Sequence, residues 1–172
     1  MVLIKAIATL RGIPGDIVFR AIYDTDIRRE WDKIFYKFEV VEHDEEKLET
    51  ILYYIIKAPL GISNRDFLQL RKCRYNYPRK GVTTLHFKSV EHETKPEVKG
   101  IVRAETILSG YVIEQIEDDP PVTQLIIISQ NDIKGLIPKY LVNMASGKAP
   151  KQWIANLISG CHELMKNEGY SI

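Results

Sequence analysis

Cysteine is scarce in this chain: Cys73 and Cys161 are its only two in 172 residues, so at most one disulfide can form and no cysteine metal framework is available. That usage points to a reducing compartment. No apolar run comes near the ~20 residues that a membrane-spanning helix requires. The opening MVLIKAIATLRG lacks a charged leader and a small-residue cleavage site, and reads as a strand rather than a secretory signal. An excess of charge is missing too. The 24 basic and 23 acidic residues sum to +1, which speaks against nucleic acid as the main partner. Repeats, low-complexity tracts and linkers are also lacking. With 45% apolar and 27% charged residues, the chain reads as one globular domain over residues 1–172. A chain of this size buries roughly 70% of its unfolded surface without staples.

The motifs of catalysis are equally thin. His162-Glu163 is followed by Leu164, Met165 and Lys166, so the second histidine of a zinc HExxH pair is missing. Cys161 and His162 are neighbours on a helix and point about 100° apart, which spoils a nucleophile–base pair. Gly147-Lys148 resembles the end of a phosphate-binding loop, but Val142 stands where its first glycine belongs and Ala149 replaces the hydroxyl residue. There is no G-x-S-x-G elbow and no G-x-G-x-x-G loop. His43, His86, His92 and His162 show no ligand spacing. The expectation is a protein that is not an enzyme and holds neither metal nor cofactor.

What is present is a β-rich middle framed by helices. Val2 to Leu10 reads as a strand. Pro14-Gly15-Asp16 then starts a helix with an apolar stripe of Ile17, Val18, Ala21 and Ile22, ended by Asp24-Thr25-Asp26, and a short helix follows over Ile27 to Lys33. Strands are expected at Phe35–Val41, Leu48–Lys57, Phe67–Tyr75, Val82–Val90, Val98–Thr106, Leu108–Ile116 and Val122–Gln130, an antiparallel meander split by turn material. In Leu48 to Lys57 both faces are apolar, so that strand needs cover on both sides or lines an apolar cavity. A turn or two of helix is expected near Pro138 to Val142. Ala149-Pro150 then opens a long terminal helix carrying Trp153, Leu157, Cys161 and Leu164 on one stripe.

Charged residues sit inside these apolar elements. Arg28 and Asp32, four apart, share a helix face. Arg103 and Glu105, two apart, share a strand face. Arg65 and Asp66 stand where a loop enters a strand. Two readings stay open: surface ion pairs worth under ~1 kcal/mol each, or the polar end of a pocket where an arginine meets a phosphate and an acid orients it. Charge is also unevenly spread. Glu39 to Glu49 holds six acids and one lysine, whereas Ile133 to His162 holds Lys134, Lys139, Lys148 and Lys151 and no acid. With Tyr140, Met144 and Trp153 nearby, the second stretch is either an ordinary solvated face or a transient docking surface for an anionic membrane.

Four segments in order, RREWDKIF (Arg28 to Phe35), KAPLGISNRDFLQLR (Lys57 to Arg71), KGIVRAE (Lys99 to Glu105) and KGLIPKYLVN (Lys134 to Asn143), followed by a Trp-bearing terminal helix, resemble a START (StAR-related lipid transfer) domain, nearest its phosphatidylcholine-transfer branch. The resemblance implies an α+β helix-grip fold of the START / Bet v 1-like kind: a curved antiparallel sheet around the C-terminal helix, with an internal lipid tunnel. It also implies a lid made by the loop around Ala58 to Asn64 and the terminal helix. By the same resemblance Arg28 contacts a lipid phosphate, Asp32 holds Arg28, and the headgroup cage falls on Tyr54, Phe67, Ile107 and Ser109. One ring of that cage is lost at Ile107, which favours phosphate recognition over choline selectivity. Arg103 with Glu105, or alternatively Arg71, stands for the Arg–acid pair found inside the tunnel of sterol-carrying members. Ile56, Leu60, Ile62, Ile107, Met144, Trp153 and Leu157 are the expected tunnel and lid residues, and Lys134, Lys139, Lys148 and Lys151 the docking residues. The family's N-terminal helix and first two strands have no counterpart ahead of Val2. The implied function is non-enzymatic binding and intermembrane transfer of a lipid, a phospholipid before a sterol, in the cytoplasm and transiently at membranes. The alternatives are a lipid or sterol sensor that does not shuttle, and a START-fold enzyme such as an acyl-CoA thioesterase.

Overall fold

A computed structural model describes residues 3–135 and 139–170, and of residues 139–147 the backbone alone. The chain runs β1 (Leu3–Arg11), α1 (Gly15–Tyr23), α2 (Thr25–Trp31), β2 (Phe35–Asp44), β3 (Glu49–Ile56), β4 (Arg65–Tyr75), β5 (Val82–Ser89), β6 (Val102–Arg103), β7 (Glu105–Asp118), β8 (Pro121–Asp132) and α3 (Lys139–Asn167). One sheet contains all the strands in the order β1-β8-β7-β5-β4-β3-β2, each neighbour antiparallel, with the two-residue β6 lying parallel beside β4. Register shifts in β2 between Phe35 and Lys37 and between Val40 and Glu42, and in β7 between Thr106 and Leu108 and between Gln115 and Glu117, are β-bulges that bend the sheet.

Local chemistry sets the helices. In α1, Ile17, Val18, Ala21 and Ile22 are all buried. Asp24 ends α1 with an extended backbone and caps α2 with its carboxylate, which accepts from the amides of Asp26 at 2.9 Å and Ile27 at 3.1 Å. One acid thus serves both helices, and α2 starts at Thr25 instead of Ile27. The strand expected over Val98–Thr106 shrinks to β6, because Gly100 takes a φ of 89° and Ile101 bonds back to the Val98 carbonyl at 3.1 Å in a turn. The terminal helix starts earlier than Pro150, at Lys139, and carries that proline inside it. A proline there removes one backbone bond at a cost of about 3 kcal/mol. Burial of Leu157, Cys161 and Met165 against the sheet offsets it.

The sheet has two buried faces. Its inner face packs Leu52, Leu85, Phe87, Ile113 and Leu125 against α1, α2 and α3 in the main core. Its outer face holds a smaller cluster of Tyr53, Ile55 and Leu68, covered by Val41, Ile51, Val90 and Ile101. That is why β3 is apolar on both sides. The seat of α3 is set at Gly160, where a Cβ would lie 2.6 Å from Cγ of Trp31. Trp31 is itself pinned by its indole N–H, which donates to the Ala21 carbonyl at 2.9 Å. The result is an α+β helix-grip.

Candidate functional site

The capped α2 turns Arg28 and Asp32 toward the sheet, one turn apart on the same face. Both are buried, at 8% and 3% exposure. Nε and Nη2 of Arg28 each donate to Oδ2 of Asp32 at 3.2 Å, Nη2 also reaches the Tyr111 hydroxyl at 3.4 Å, and Nη1 the Ile22 carbonyl at 3.4 Å. Asp32 receives a third donor from across the fold, the indole N–H of Trp153 on α3 at 2.9 Å. The Arg28 guanidinium carbon lies 5.3 to 5.9 Å from the ring centres of Trp31, Phe35, Tyr111 and Trp153, within cation–π range of four rings. Burial works against its charge, but Tyr111 and Asp32 outweigh it and hold the guanidinium above its ordinary value.

Arg28 closes one side of an internal cavity of about 50 Å³. The other walls are Phe35, Phe38, Leu52, Tyr54, Gln69, Phe87, Ser109 and Tyr111, so aromatic rings meet a few polar groups around a small void. Tyr54 and Phe67 are stacked, ring centres 4.9 Å apart and planes at 15°. Tyr111 stacks in turn on Trp153 at 5.6 Å. Burial raises the pKa of the Tyr54 hydroxyl, which stays protonated. The Gln69 amide donates to the Thr106 hydroxyl. Cys161 has its thiol pushed up to about 12 by burial, which leaves it inert as a nucleophile.

Of the residues expected to form the site, the structure brings together Arg28, Asp32, Tyr54, Phe67, Ser109, Trp153 and Leu157 on the inner side. Others lie elsewhere. Ile107 is exposed, because it is the extra residue of the β7 bulge and turns outward. Arg103 and Glu105 do not pair. The parallel β4–β6 register sets Asp66 opposite Arg103, and Asp66 takes Nε at 2.9 Å and Nη2 at 3.0 Å. Exposed Glu105 has Lys134 as its nearest cation, at 3.8 Å. The Arg103 pair belongs to the outer face, where the Tyr53 hydroxyl also donates to Asp66 at 3.0 Å. In the loop after β3, Leu60 is fully exposed and Ile62 half-buried, as is Ile56 at the end of β3. Lys134, Lys148 and Lys151 are exposed, whereas the side chains of Lys139 and Met144 lie outside the described residues. Tyr111, Phe35, Phe87 and Gln69 were missed from sequence. A period-2 count from Phe67 and Ser109 along their strands would have found Gln69 and Tyr111.

The START domain family model matches residues 3–166. The chain belongs to the START domain family. It is 23% identical over 163 residues to the phosphatidylcholine transfer protein of Mus musculus, covering 94% of this chain and 74% of that protein. It is 27% identical over 135 residues to START domain-containing protein 10 of Homo sapiens, covering 78% of this chain but only 44% of the relative. The crystal structure of human STARD10 superposes with a TM-score of 0.83 at 24% identity, over 96% of this chain and 66% of that one. That likeness establishes the START fold. Among the described residues, no helix is long and apolar enough to cross a membrane, and no group of His, Cys, Asp and Glu could hold a metal ion.

Proposed function

We propose that this START domain binds a phospholipid between its sheet and α3 and carries it between membranes without covalent chemistry. The observation that carries the reading is the Arg28–Asp32 pair, buried at 8% and 3% exposure within a ring of aromatics beside a cavity. A buried ion pair is a weak source of stability, since its desolvation consumes most of the Coulombic gain. A planar guanidinium fork held by an acid is, however, a good receptor for a phosphate. The names of the relatives, phosphatidylcholine transfer protein among them, support the same class of ligand.

The physical problem is one of phase transfer. An acyl chain of about fifteen methylenes costs on the order of 12 kcal/mol to expose to water, at ~0.8 per methylene. A cavity of about 50 Å³ has room for a few waters and not for such a chain. Loading therefore requires the sheet and α3 to part, and the bilayer is where the chain can move without crossing water. Exposed Leu60 at the tip of the β3–β4 loop and the exposed Lys134, Lys148 and Lys151 suit brief contact with an anionic surface. The aromatic positions argue against strong choline selectivity, because four rings already surround the protein's own Arg28 and Ile107 lies outside the cavity.

The test is transfer of a labelled phospholipid from donor to acceptor vesicles. Catalysed transfer is expected, and Arg28→Ala should weaken phospholipid uptake more than sterol uptake. Uptake without transfer would replace the carrier by a sensor. Equal uptake of both lipids by Arg28→Ala and the parent would reduce Arg28 to a structural partner of Asp32.

A further inference from the structure

Two further arginines, Arg65 and Arg71, are buried with no acid beside them among the described residues, and only Arg71 has a nitrogen left unpartnered. Arg71 on β4 is 4% exposed and faces inward, with its same-face neighbour Gln69 and its cross-strand neighbour Phe87 both lining the cavity beside Arg28. Its Nη1 donates to the Tyr23 carbonyl at 2.6 Å and its Nη2 to the Thr50 hydroxyl at 3.2 Å, while the guanidinium rests 3.8 Å over the Tyr23 ring. Its Nε is buried with no hydrogen-bond partner. No carboxylate lies within salt-bridge distance among the described residues, and the stretch 136–147 contains no acid in its sequence. Burial and the neighbouring Arg28 both lower the pKa of Arg71, yet an arginine keeps its proton.

The charges between sheet and helix therefore do not cancel. Arg28 and Asp32 neutralise each other, and Arg65 spends its Nε, Nη1 and Nη2 on the carbonyls of Ile133, Ser63 and Lys134. Arg71 remains as a buried cation with neither a counterion nor a full set of acceptors. Such a charge costs several kcal/mol unless something compensates it, and stacking on Tyr23 supplies only part of that. We propose that the missing counterion is the ligand, and that Arg71 makes the site select a phospholipid whose headgroup carries net negative charge and no cation. This inference rests on the phospholipid reading above and sharpens it. A zwitterionic headgroup brings its own cation and leaves the charge of Arg71 unmatched. A phosphate monoester, at about −1.5 to −2 near pH 7, satisfies both arginines.

The experiment offers the protein vesicles of equal parts phosphatidylcholine and phosphatidic acid and counts bound lipid by native mass spectrometry. The parent should bind phosphatidic acid over phosphatidylcholine in a ratio of about ten to one, a difference of about 1.4 kcal/mol. Arg71→Gln should bring that ratio close to one while still loading phosphatidylcholine. Thr50→Glu, which leaves Arg71 in place and sets an acid beside its Nη2, should do the same, and it carries the test if Arg71→Gln fails to fold. Parent protein without enrichment, or a folded variant that keeps it, overturns the proposal while lipid binding stands. A chain that takes up neither lipid fails the phospholipid reading itself, and this inference with it. Inorganic phosphate alone should leave the melting temperature unchanged; a rise as large as that given by phosphatidic acid vesicles would assign the site to a free anion and overturn the lipid.

Discussion

An Arg–Asp pair with a tyrosine lies at each face of the sheet, and the two are built differently. On the outer face Asp66 is saturated: Arg103 reaches it at 2.9 and 3.0 Å, Tyr53 at 3.0 Å, and the same arginine also bonds the Lys95 and Pro96 carbonyls at 3.2 and 3.3 Å. That set staples the loop between β5 and β6 onto β4. On the inner face every Arg28 contact is long, 3.2 to 3.4 Å, and the cavity beside it is walled largely by aromatic rings. The larger cavity of about 900 Å³ beside Arg103 is instead lined mainly by charged and polar residues. Tightly satisfied groups hold a structure together, whereas loosely satisfied ones retain capacity for a ligand. The outer pair is a fastener and the inner pair a receptor.

The largest expected effect breaks the fastener. Asp66→Ala leaves Arg103 partly buried without its acid and should lower unfolding stability by about 3–5 kcal/mol in chemical denaturation. The lipid ratio in whatever folds should stay as in the parent. Next comes the seat of α3. Gly160→Ala drives a methyl into Trp31, which its bond to Ala21 prevents from moving aside, and should cost about 1–3 kcal/mol despite the better helix propensity of alanine. Hydrogen exchange should quicken in α2 and α3 while the β4–β6 amides keep their protection, if the two faces are separate. The smallest effect belongs to a solvent-facing pair, Arg20 of α1 with Glu168 just after α3. Its hydrogen bond to Arg20 lowers the Glu168 pKa from its ordinary 4.5. A lowered folded value means stability that is present above 4.5 and lost as the pH falls through the folded value. Glu168→Gln should therefore slightly reduce the melting temperature at neutral pH, and the difference from the parent should vanish in acid.

Arg28 and Asp32 were legible because their pairing is local: a spacing of four on a helix fixes it wherever the helix goes. Tyr54, Phe67 and Ser109 were legible only through the family resemblance, which aligned strands that composition could not. The partner of Arg103 was not legible. It depends on a two-residue parallel contact between β4 and β6, a register that no local pattern encodes. Ile107 escaped for a related reason, since a bulge shifts the alternation of β7 by one and flips a single side chain outward. Arg71 was legible only through the resemblance, as a stand-in for the charged pair of the tunnel. Its isolation emerges once the fold shows that Thr50, and no acid, stands opposite it. Pro150 misled because proline usually marks a helix start, and the packing of α3 overrides that preference.

The contrast between the two faces comes down to one measurement: native mass spectrometry of lipid taken from phospholipid vesicles by two matched double variants. Replacing a whole buried pair keeps its surroundings free of unpaired charge, so both should fold. Arg103→Met with Asp66→Asn should load lipid as the parent does, whereas Arg28→Met with Asp32→Asn should load at least tenfold less, the loss expected for charged hydrogen bonds worth about 1.5–3 kcal/mol. Equal loading by the two variants would contradict the account and leave Arg28 no more than a second fastener.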